Sequence, residues 1–97
     1  MKPCRVKIIP FSEKTRERGC YGRVHDEGEA YIIEIDSTRP LEWQKWALKH
    51  EYAHILCEHL QPLQFLRPKE EVEAEAEAKA ATLTDADMKK LILLTTA

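Results

Sequence analysis

The chain has 97 residues, a formal net charge of −2 and 43% hydrophobic residues, enough for one modest core, so residues 1–97 read as a single domain. A pI near 6.1 and the absence of a basic stripe argue against nucleic acid as a partner. No stretch approaches the roughly 18 apolar residues of a membrane span, and MKPCRVKIIPF is too short and too Pro-flanked for a signal peptide; Cys4, Cys20 and Cys57, far apart and without a CxxC pair, fit reduced thiols in a cytoplasm.

Residues 4–9, CRVKII, partly alternate and end at Pro10, which predicts a first strand. The charged segment 12–19 reads as loop or a short exposed helix. Gly19 and Gly22 flank a second strand over 20–25, a turn follows at Asp26, Glu27 and Gly28, and residues 30–36 form a third strand with Tyr31, Ile33 and Ile35 on one face. A small antiparallel sheet of about three strands is expected. Ser37, Thr38, Arg39 and Pro40 mark the start of a helix over about 40–60, with Trp43, Trp46, Ala47, His50, His54 and Cys57 on one broad buried stripe. Pro62 and Pro68 bound a connection whose Leu63, Phe65 and Leu66 are expected to cover the core. The Ala-, Glu- and Lys-rich run over 68–83 predicts a second helix, and Thr84 with Asp87 forms a capping box that opens a third helix to about residue 95, with Met88, Leu91, Ile92 and Leu94 as its apolar face. The fold class is α+β: a small sheet packed on these helices.

The chemistry lies in HEYAH, residues 50–54. At about 100° of rotation per residue, His50 and His54 stand one turn apart on one helix face, so two imidazoles reach one metal. Glu51 stands beside them as the base that takes a proton from water activated by zinc. This is the HExxH arrangement, and Zn2+ is the cofactor it calls for.

A catalytic zinc takes three protein ligands and leaves a position open, and HExxH supplies two. A metzincin extension would need Gly at position 57 and His at 60, where Cys57 and Leu60 stand, so that class is excluded. His59, about 140° around the helix from His54, is expected to point away as a surface or supporting histidine. The third ligand is then a carboxylate from the glutamate-rich helix. With Val72, Ala76, Ala80 and Leu83 taken as its buried face, Glu75 ranks first and Glu77 or Glu73 are the alternatives.

The residues resemble the ImmA/IrrE family of small zinc metallopeptidases. AYIIEID leads into HEYAHILCEH as the family's strand leads into its HExxH helix, and EAEAEAKAATL is similar to the family's later E-x-E-A-x-x-F-A-x-x-L. In that register the resemblance implies Glu75 as the ligand, with Glu73 as the first glutamate of the motif. It also implies a phage or mobile-element protein that cleaves a partner polypeptide, a repressor among the candidates.

The expected activity is therefore zinc-dependent endopeptidase hydrolysis of a protein partner, with Glu51 as base. Tyr21, Tyr31, His25, Arg23 and Tyr52 are the available donors for a tetrahedral oxyanion. The strand over residues 31–36, were it the sheet edge, would pair with an extended substrate. The rival expectation is a catalytically weak or inactive metallopeptidase-like binding module that sequesters its partner; Tyr52 and Lys79, where the family carries an aliphatic and an aromatic residue, favour it.

Overall fold

Three short runs rich in β-branched residues build the sheet. In the computed structural model, which describes residues 2–96 and side chains as far as Leu91, they are β1 (Cys4–Ile9), β2 (Gly22–Asp26) and β3 (Tyr31–Asp36). The strand order is β1-β3-β2, so β3 is central, with Ile33 and Ile35 at most 1% exposed. The expected antiparallel pairing holds for β2 with β3, joined by the turn at Gly28, whose φ of 88° suits glycine. β1 instead runs parallel to β3, with Cys4 opposite Tyr31 and Ile9 opposite Asp36, so the sheet is mixed. The intervening chain is long enough for a parallel return, because it makes α1 (Glu13–Glu17) and then β2 on the far side of β3. Of the two readings left open for segment 12–19, the short helix is the one formed: the Ser12 hydroxyl accepts from the Thr15 N–H and caps it.

α2 (Leu41–Leu56) packs on β2 and β3, and α3 (Lys69–Ala80) packs on α2. Both stop short of the expected ends. α2 turns off at Glu58, whose φ is 59°: the Glu58 N–H donates to the Ile55 carbonyl and the His59 N–H to that of His54. That pair of bonds is a Schellman ending built without glycine. No short polar side chain caps α2 at its start, because Pro40 holds the N-cap position while Gln44 donates back to the Arg39 carbonyl.

Two expectations about the apolar surface fail. Trp43 and Trp46 are 49% and 43% exposed and cluster edge-on with Tyr21 instead of filling a core, while the buried face of α2 is Ala47, His50, Ala53, His54 and Ile55. Leu63, Phe65 and Leu66, on a 3-10 helix (Pro62–Leu66), are at least 77% exposed. Ala53, Ala76 and Ala80 close the α2–α3 contact without them, and Phe65 instead stands on the wall of an open cavity. α4 (Asp85–Thr96) lies against β1 and opens with the expected capping box, Thr84 N–H to Asp87 Oδ2 and Asp87 N–H to Thr84 Oγ1. Met88 and Leu91 are buried as expected; the side chains of Ile92 and Leu94 lie outside the described residues.

Candidate metal centre

The site exists because two helices approach closely. Alanine at 53, 76 and 80 brings the α2 and α3 backbones together, and the side chains three residues before and one residue after Ala53 and Ala76 meet across that contact. From α2 these are His50 and His54, each 9% exposed; from α3 they are Glu73 and Glu77.

His50 Nε2 lies 3.1 Å from His54 Nε2 and 2.8 Å from Glu73 Oε2, and His54 Nε2 lies 3.6 Å from Glu73 Oε1. Zinc bonds of about 2.1 Å in tetrahedral geometry hold ligand atoms about 3.4 Å apart, so these three separations bracket what one ion needs. Two imidazoles and a carboxylate are also the donor set that suits zinc. The metal expectation is met at this level: His50, His54 and Glu73 form a group able to hold an ion.

The outer ring nitrogens are engaged as well. Glu77 Oε1 accepts from His50 Nδ1 at 2.5 Å, which leaves His50 Nε2 facing the cluster. His54 Nδ1 faces His59 Nδ1 at 2.9 Å, and His59 Nε2 lies 2.9 Å from Glu75 Oε1. Arg67 grips Glu75 with both terminal nitrogens and donates to Glu71 at 2.8 Å. That guanidinium, with His59, holds the Glu75 carboxyl down at about 2.

Charge separates the two proposed ligands. Burial works against a charged His50, but the facing carboxylates of Glu77 and Glu73 outweigh it and raise its pKa, whereas burial lowers that of His54. Glu51, half-buried beside them, has its carboxyl pushed up to about 7 by burial, with the Glu73 charge adding and His50 opposing. A carboxyl tuned there exchanges protons readily near neutral pH.

Glu51 is held from behind by β2. A Cβ at Gly22 would come within 3.0 Å of Ile35 Cδ1 and 3.3 Å of Glu51 Cγ, so glycine lets the edge strand run directly past the carboxylate. Two adjoining cavities, about 450 and 580 Å3, share Gly22, Glu51, Lys69 and Glu73 in their walls. Of the expected oxyanion donors, Arg23 lines the first and Tyr21 the second; Tyr31, His25 and Tyr52 line neither. Tyr52 instead lines a groove with Leu83 and Asp87, and His25 pairs with Glu27 at 2.6 Å.

The structure thus brings together His50, Glu51 and His54 with Glu73, the lower-ranked alternative, and turns Glu75 toward His59 and Arg67. At about 100° per residue, Glu73 lies about 40° from the bisector of Ala76 and Ala80, and Glu75 about 120° on the other side. Taking Val72 and Leu83 into the buried face moves its centre by only about 25°, to about 65° from Glu73 and about 95° from Glu75, so the period favours Glu73 on either choice and Glu75 ranks first only by its nearness in the chain to Ala76 and Val72. His59, expected to face away, is 7% exposed and touches His54, because the helix ends before it and the chain doubles back at Glu58. Lys69 and Arg67 were missed, and only their place at the mouth of α3 signals them. No protein-family description, curated protein or solved structure matches this chain.

Proposed function

We propose that this chain is a zinc-dependent endopeptidase of minimal gluzincin type that hydrolyses a peptide bond in a partner protein. The observation that carries this reading is the convergence of His50 Nε2, His54 Nε2 and the Glu73 carboxylate within 3.6 Å of one another, with Glu51 beside them in an open cleft. The resemblance of HEYAHILCEH and the glutamate-rich helix to the ImmA/IrrE peptidases supports the same reading and suggests a phage or mobile-element protein whose substrate is a repressor. Three free cysteines and, among the described residues, no helix long and apolar enough to cross a membrane fit a cytoplasmic setting.

His50, His54 and Glu73 would hold the ion, which when bound supplies Lewis acidity toward a peptide carbonyl and toward water. Glu51 takes the proton of the attacking water on its carboxylate oxygen and passes it to the leaving amine. β2, an edge strand with Gly22 against Glu51, offers its free backbone groups to an extended substrate segment; β3, central in the sheet, has none to offer. Arg23 and Tyr21 stand on the cleft walls as donors toward the oxyanion, and Phe65, Leu60 and Val72 give the first cavity an apolar side. Three protein donors, one short of a closed structural shell, favour catalysis over the binding-module rival.

Metal analysis and peptide cleavage by purified variants test the proposal. Wild type should carry one zinc, Glu73→Ala should lose it, and Glu51→Gln should keep it while cleavage falls about 10²–10⁴-fold. Cleavage undiminished in Glu51→Gln would remove Glu51 as the base. A zinc-loaded wild type that retains a partner without cutting it would establish the binding module instead.

A further inference from the structure

His59 and Glu75 stay outside the convergence of His50, His54 and Glu73, yet they connect to it through a line of single contacts. Glu75 Oε1 is 2.9 Å from His59 Nε2, and His59 Nδ1 is 2.9 Å from His54 Nδ1. The direction of this line is set at its outer end. A carboxylate only accepts hydrogen bonds, so His59 Nε2 carries the proton and donates it to Glu75. Arg67 holds the same carboxylate through both terminal nitrogens, which fixes the outer end of the line. With its proton on Nε2, His59 presents Nδ1 as the acceptor, His54 donates its Nδ1–H to it, and His54 Nε2 is left as the inward-facing lone pair. That atom is the one facing His50 Nε2 and Glu73.

His50 is oriented by another route: it donates Nδ1–H to Glu77, and between its Nε2 and Glu73 Oε2, 2.8 Å apart, a proton or a cation must sit. Two imidazoles with unrelated outer partners thus both bring Nε2 to one carboxylate, a place where a cation can stand in for a proton. We propose that His59 and Glu75, anchored by Arg67, are positioning residues that hold His54 as its Nδ1–H tautomer and aim its Nε2 into the metal site. The inference deepens the metal-centre reading and rests on it. A second use of the same residues competes: Cys57, His59 and Glu75 also bring ligand atoms within 4.8 Å of one another. Arg67 disfavours it, because its positive charge already sits on Glu75.

Zinc affinity by chelator competition, zinc stoichiometry and the imidazole ¹⁵N spectrum of the zinc-free protein decide between these. His59→Ala should weaken zinc about 10- to 100-fold, as loss of such outer partners does, and should turn the His54 signal from Nδ1–H to a tautomer mixture. His59→Gln should recover most of the affinity, since its amide oxygen accepts from His54 and its NH2 donates to Glu75. Glu75→Ala should weaken zinc while keeping one equivalent, unlike Glu73→Ala. Affinity in His59→Ala within twofold of wild type, with an unchanged His54 tautomer, would overturn the relay and leave the metal centre standing. So would a second zinc equivalent lost in Cys57→Ala, because His59 Nε2 would then be a ligand. Should wild type bind no zinc, the peptidase reading falls, and the relay is judged by the zinc-free spectrum alone: an Nδ1–H His54 that depends on His59 upholds it, and a mixture in wild type overturns it. If His59→Ala does not fold, the glutamine and Glu75→Ala variants carry the same comparison.

Discussion

Glu58 shows how much one backbone conformation determines here. With φ at 59°, it is the one non-glycine residue of positive φ among the described residues, and its side chain is exposed. The left-handed conformation costs a residue bearing a Cβ roughly 1–2 kcal/mol, and glycine avoids that cost while losing about 0.5–1 kcal/mol to unfolded-state entropy. Glu58→Gly should therefore stabilise the protein by about 0.5–1 kcal/mol, a rise of a few degrees in Tm for a domain of this size, with zinc affinity unchanged. Thermal unfolding followed by circular dichroism checks it, and a lowered Tm would show that the glutamate side chain contributes something its exposure hides. The same residue explains why His59 was misplaced from sequence. A helix running on to residue 60 carries His59 to the far side, whereas a turn at Glu58 folds it back on His54, and a glutamate at that position gives no glycine-like stop signal.

At the scale of elements, spacing along one helix was legible and register between helices was not. His50, Glu51 and His54 follow from the 3.6-residue period of α2 alone, and the structure places them together. The third carboxylate depends on which stripe of α3 faces α2, and five glutamates in eight residues give periodicity little apolar contrast to work with. The contact itself is made by alanines, whose small side chains carry the weakest hydrophobic signal and permit the closest approach. Ala76 is fully buried against Ala53, while Ala74 on the same helix is exposed. Ala76→Leu should thus cost about 1–3 kcal/mol from overpacking and, by pushing α3 outward, weaken zinc more than tenfold. Ala74→Leu should change neither by a measurable amount. Urea midpoints and chelator competition on the two variants make the comparison, and equal zinc affinity in both would mean that Glu73 follows His50 and His54 without help from the helix contact.

Across the whole molecule, the α+β class, the three strands and the three longer helices could be read from the chain, whereas α1 is one of two readings its segment leaves open and the 3-10 helix at Pro62–Leu66 reads only as a connection. The parallel pairing of β1 could not be read, because alternation reports a strand and not its direction. What fixes that pairing is a buried charge. Asp36, fully buried at the end of β3, accepts on Oδ1 from the Phe11 N–H beyond β1 and from the N–H and hydroxyl of Thr38 ahead of α2. Its Oδ2 faces Arg39 at 3.2 Å and Arg16 of α1 at 3.6 Å. One carboxylate therefore ties β1, α1, β3 and the start of α2, the helix that carries the site. Burial tends to raise its pKa, but the Thr38 and Phe11 hydrogen bonds and the Arg16 charge outweigh that and hold it below the ordinary value. A depressed folded pKa means that the stabilisation is complete above the unfolded value of about 3.9 and is lost as pH falls through the folded one. Asp36→Asn keeps an acceptor at Oδ1 and removes the charge, stranding Arg39. It should cost about 2–4 kcal/mol at pH 7, toward the lower end for breaking a buried pair, since Arg16 and Arg39 reach solvent. The gap between wild type and variant should hold down to about pH 4 and narrow below it, because wild type then carries a neutral Asp36 too. Urea unfolding of both proteins from pH 7 to pH 2.5 measures this gap free of the other carboxylates, whose titration is common to the pair. A gap that stays constant with pH would assign the loss to the hydrogen-bond geometry at Asp36 and not to its charge.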